Sequence, residues 1–133
     1  MLIALAFLVL LISGGAIGAG AYFTKNNPRD LMAPKPTELR TAYLSCGSTG
    51  EISDGDRTLY LDMAGSQDGS GNLSVTQVQC ILRALKTPDY VMREMASTRA
   101  LDGRQSDTWA DFSASWSYHP DSGLDVLIRQ VNG

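Results

Sequence analysis

Residues able to do chemistry are few and scattered. Asp68, Ser70 and Asn72 put three oxygen-bearing side chains into one Gly-rich stretch, the donor type that a hard cation such as calcium takes. Asp54, Asp56 and Asp62 lie nearby in the chain. His119 is the only histidine and stands beside Pro120 in a turn-forming run. One histidine and two cysteines do not make the usual zinc sets. Serine is plentiful, yet no Gly-x-Ser-x-Gly or Ser-x-x-Lys arrangement occurs, and no Gly-rich phosphate loop follows an expected strand. The residues point away from an enzyme and call for no cofactor.

Residues 66–77 resemble an EF-hand calcium loop, with Asp68, Ser70, Gly71, Leu73 and Ser74 at its third, fifth, sixth, eighth and ninth positions. The first position is Ser66 rather than Asp, and the twelfth is Gln77 rather than the bidentate Glu. Such a loop would bind calcium outside the cell. A Gly-rich turn leading into a helix capped by Ser74 and Gln77 accounts for the same residues. Asp68, Ser70 and Asn72 therefore stand as the cation candidates, beside the expectation of no metal.

Cys46 and Cys80 form an even pair in a small chain, the pattern of a disulfide. Their bond would close a loop of about 35 residues and contribute roughly 3–4 kcal/mol. It would persist only in an oxidising compartment. Two unrelated buried thiols are the alternative.

The elements that must position these residues begin with residues 1–23, which carry no charged side chain. As a helix they would extend about 35 Å, enough to cross a hydrocarbon core of about 30 Å. Tyr22 and Phe23 suit a membrane interface. Ala19-Gly20-Ala21 also has the form of a signal cleavage site, so secretion after cleavage near Ala21 is the alternative to an uncleaved single-pass anchor in the bilayer. Lys25, Arg29 and Lys35 follow the segment and pull the domain toward the cytoplasm by the positive-inside rule, whereas the cysteine pair pulls it outside. The reading adopted is a cell-membrane anchor with the soluble domain outside the cytoplasm.

Residues 24–40 contain Pro28, Pro34 and Pro36 with mixed charge and read as a linker. Residues 41–133 read as one small α+β domain with a net charge of −5, a poor partner for nucleic acid. Within it, residues 41–46 form a short expected strand and residues 47–56 a loop. Residues 58–63 alternate as a half-buried strand. Val75, Val78, Ile81, Leu82 and Leu85 mark a helix. Thr87 reads as the cap of a second helix from Pro88 to Ser97, with Val91, Met92 and Met95 on its apolar side. Leu101 is expected to pack inward. Ala110, Phe112, Ala114, Trp116 and Tyr118 alternate as a strand, and Leu124, Val126 and Ile128 mark its hairpin partner. The expected architecture is an N-terminal transmembrane helix followed by an antiparallel sheet, including this C-terminal hairpin, packed against a helical pair. Trp109 falls on the opposite parity from Phe112 and is the candidate anchor for a protein partner. The expected function is thus a non-catalytic, membrane-tethered domain that binds or scaffolds a protein, with a small hydrolase or a cation-binding domain as alternatives.

Overall fold

Alternating apolar residues on three neighbouring strands set the architecture. The computed structural model describes residues 35–132. The apolar segment 1–23 and linker residues 24–34 lie outside the described residues. The order is α1 (Glu38–Ser45), β1 (Glu51–Ser53), β2 (Thr58–Asp62), α2 (Val75–Ala84), α3 (Asp89–Ser97), a 3-10 turn (Ala100–Asp102), β3 (Gln105–Trp109), β4 (Phe112–His119) and β5 (Gly123–Gln130). The five strands form one sheet in the order β1-β2-β5-β4-β3, antiparallel throughout.

Register lines up the core. Leu61 lies opposite Val126, and Val126 opposite Trp116; Leu59, Ile128 and Ala114 form the next row. All six are buried, as the period-2 rule requires of one sheet face. The helices cover that face with Leu39 and Ala42 from α1, Val78, Ile81 and Leu82 from α2, and Val91 and Met95 from α3. This is an α+β domain, with the helical pair α2–α3 and the β4–β5 hairpin where the sequence places them.

Local chemistry explains the agreements. Ser74 and Gln77 close a capping box: the Ser74 amide donates to Gln77 Oε1 (2.9 Å), and the Gln77 amide donates to Ser74 Oγ (3.3 Å). Gly123 after the hairpin turn has φ of +88° and sits against the Met63 and Ala64 carbonyls, so a Cβ there would collide with backbone.

Five expectations are corrected. Residues 41–46 belong to helix α1, not to a strand. Leu39, Ala42, Tyr43 and Cys46 recur at helical spacing and pack on or against the core, and Thr37 caps the helix by accepting from the Arg40 amide (3.0 Å). The stripe starts at Leu39, inside the stretch read as linker, so a window opened at Thr41 misses it. The expected loop 47–56 contains β1, which pairs with β2. β3 was not expected at all; it is an edge strand whose residues up to Thr108 are polar. Leu101 is 98% exposed, because the 3-10 turn, closed by the Arg99 amide donating to Asp102 Oδ2 (2.7 Å), carries it outward. The α3 cap also differs: Pro88 holds the cap position without a side-chain bond, and the buried Thr87 hydroxyl has no partner among the described residues.

Candidate functional site

Two concavities of similar size lie on the domain, and their linings differ in chemistry. The first, of about 550 Å³, is polar. Its walls are the loops 47–50 and 69–73, and Glu51 of β1 with Tyr60 and Asp62 of β2 line it. Asp62 stands directly opposite Asp125 on β5, and Tyr60 donates its hydroxyl to Asp125 Oδ1 (3.1 Å). Two carboxylates paired across strands repel when both are ionised. Desolvation, and then the Asp125 carboxylate, raise the pKa of Asp62 above the ordinary carboxyl value. The same two causes push Tyr60 up to about 12. Neither a histidine nor a thiol lines the concavity beside these groups.

The candidate cation residues border this region without forming a ligand set. The Ser70 hydroxyl is used inside its own loop, accepting from the Gly65 amide (2.9 Å) and donating to the Gln67 carbonyl (2.7 Å). The side chains of Asp68 and Asn72 are exposed, while the Asn72 amide donates to the Asp62 carbonyl (3.1 Å). The 63–73 loop is further pinned to the β4–β5 turn, where the Ser66 and Gln67 amides donate to the Pro120 and Asp121 carbonyls (2.9 and 3.0 Å). Among the described residues no three His, Cys, Asp or Glu side chains converge as a metal site. His119 stays at the exposed turn, accepting at Nδ1 from the Asp121 amide (3.2 Å).

Cys46 and Cys80 are disulfide-bonded. The bond joins the C-terminal cap of α1 to the middle of α2.

Trp109 is a core residue and not an exposed anchor. It is 7% exposed, its indole N–H donates to the Leu85 carbonyl (3.1 Å), and its ring lies 5.9 Å from that of Phe112. The reason is the tight turn at Ala110 and Asp111, where Ala110 has φ of +45°. The turn ends one strand and begins another, so Trp109 faces Phe112 across the ladder and shares its side of the sheet. Parity counted through the turn inverts the result. At the far end of β4, Tyr118 lies at the rim, 36% exposed, rather than in the core face.

The second concavity, of about 530 Å³, is apolar and lies between α2 and α3. Residues of both helices line it. Val78, Leu82, Met95 and Leu124 line the groove as buried residues, Met63 and Met92 as half-buried ones. Val75, at the start of α2, is 56% exposed. The helical stripes seen in the sequence are therefore wider than the sheet covers. Methionine is unbranched and polarizable, and it suits a surface that adapts to a partner. Arg83 stands on the α2 side of the groove, Asp89 and Arg93 on the α3 side. Sequence reasoning names Val75 and Met92 as helix-face residues, but nothing in the pattern separates the part of a stripe that the sheet buries from the part it leaves open.

Comparison with protein families, curated proteins and solved structures finds no match to the chain.

Proposed function

We propose that this chain is a single-pass, membrane-tethered domain held outside the cytoplasm, without catalysis of its own, that binds a protein partner through the groove between α2 and α3. The observation that carries the reading is the groove itself. It is apolar and rich in methionine, it is open to solvent, and the core residues Val78, Leu82, Met95 and Leu124 line it. Apolar grooves walled by helices are a recurring place for a protein to seat a segment of its partner.

Tethering rests on residues 1–23, which are long enough and apolar enough to span. Gly14 and Gly18, with Ala16 and Gly20, add the small-xxx-small spacing that lets membrane helices approach. The Cys46–Cys80 bond supports a location outside the cytoplasm, and it outweighs the three basic residues after the segment. Cleavage near Ala21 would convert the same domain to a secreted one.

The test is co-purification of the full chain from gently solubilised membranes. Val75→Glu combined with Met92→Glu should release the partner. An acid at the first position of α2 suits the helix dipole, whereas Met92 packs against the core, so loss of the partner counts only where the variant keeps the wild-type circular dichroism spectrum and the single Val75→Glu variant weakens the partner too. A wild-type chain that runs alone overturns the reading.

A further inference from the structure

The occupant of the α2–α3 groove can be specified further, on the premise that the groove is the docking site. From its shape and charge we infer that it takes an amphipathic α-helix whose apolar face is flanked by carboxylates.

Shape comes first. Helix α2 has ten residues, so its flank of the groove is about 15 Å long, the length of nearly three helical turns. A trough walled by two helices lets a third helix seat its side chains between theirs. An extended peptide would instead pair with a sheet edge. The edge strands β1 and β3 contribute nothing to this groove; Leu124 of β5 and Met63, just past the end of β2, line it.

Charge comes second. Residues 41–133 have a net charge of −5, yet two of their arginines, Arg83 and Arg93, stand on opposite sides of this one groove. Both are exposed, and among the described residues neither is in a salt bridge. Asp89 is the only acid in the lining. The groove is thus locally basic on an acidic domain. A helix with Glu or Asp on both sides of its apolar stripe would pair with both arginines. The shape disfavours a lipid surface: the apolar residues line a concavity, whereas a bilayer needs them on a protrusion.

The test uses the full chain in nanodiscs made of zwitterionic lipid. One probe is a stapled helical peptide with Leu at i, i+3, i+4 and i+7 and Glu on both flanks. A second replaces each Glu by Lys. Anisotropy titrations should show the Glu peptide binding about tenfold tighter than the Lys peptide at low ionic strength. The preference should invert for the Arg83→Glu/Arg93→Glu variant and shrink at high salt. Both arginines are exposed, so that variant keeps its fold, which its circular dichroism spectrum will verify. Equal binding of the two peptides overturns the acidic assignment. Binding of anionic vesicles in place of either peptide overturns the protein occupant. If neither peptide binds but the natural partner is still lost with Val75→Glu/Met92→Glu, the helix is overturned and the docking site stands. If a natural partner is retained by that variant, the docking site itself falls.

Discussion

Removing the disulfide should cost this domain a large share of its stability. Cys46 and Cys80 are 34 residues apart in sequence, and the chain-entropy relation gives about 4 kcal/mol at 25 °C for a loop of that size. Typical domains are stable by only about 5–15 kcal/mol. Cys80 is exposed and Cys46 half-buried, so replacing both by Ala opens little cavity and the loss acts mainly through the unfolded chain. What then holds α1 is modest: Leu39 and Ala42 in the core, the Thr37 hydroxyl donating to the Asp56 carbonyl (2.7 Å), and an Arg40–Asp56 ion pair at 3.6 Å that is too exposed to add much. Urea unfolding followed by tryptophan fluorescence reads the change, because Trp109 and Trp116 are both buried. With a urea slope of about 1.5 kcal/mol/M, the Cys46→Ala/Cys80→Ala midpoint should fall by about 2.5 M. The slope itself should rise, since the unfolded chain without its cross-link is more expanded. A midpoint within about 0.5 M of the wild type would refute the entropic argument and mean that α1 is held by its packing alone.

Trp109→Phe removes the indole donor to the Leu85 carbonyl and should lower stability by about 1–3 kcal/mol in thermal denaturation; an unchanged melting temperature together with loss of the partner would instead make Trp109 the anchor. The Asp62 prediction follows from its raised pKa. The folded state holds that proton more tightly than the unfolded chain, so its contribution is fully present below the ordinary carboxyl range and is lost as pH rises through the raised value. Asp62→Asn stays uncharged and should therefore gain about 0.2–1 kcal/mol at neutral pH, with the gain vanishing in acid. Melting temperatures measured across the pH range check this, and an Asp62→Asn variant less stable than the wild type at neutral pH contradicts it.

Much of the fold was legible because it is written locally. The Ser74–Gln77 capping box, the stripes of α2 and α3, and the alternation of β2, β4 and β5 each need only a few adjacent residues. α1 was missed because its helical stripe crosses a boundary drawn at a run of prolines. β3 was missed because an edge strand needs few apolar residues. The candidate site was less legible still. Asp68, Ser70 and Asn72 share a stretch of sequence, but the loop spends its hydroxyl on its own backbone.

The groups able to do chemistry, a few oxygens, one histidine and two cysteines, are a matter of composition, and sequence alone says that they are present. It could also say that two cysteines in a small chain invite a staple and that 23 uncharged residues invite a membrane. The tertiary structure decided which residues meet. It joined Cys46 to Cys80, set Asp62 against Asp125 through strand register, and turned Trp109 into the core through a single tight turn. It also left part of two apolar stripes uncovered. Periodicity tells which face of a helix is apolar; how much of that face the sheet reaches depends on how the helix is seated against it.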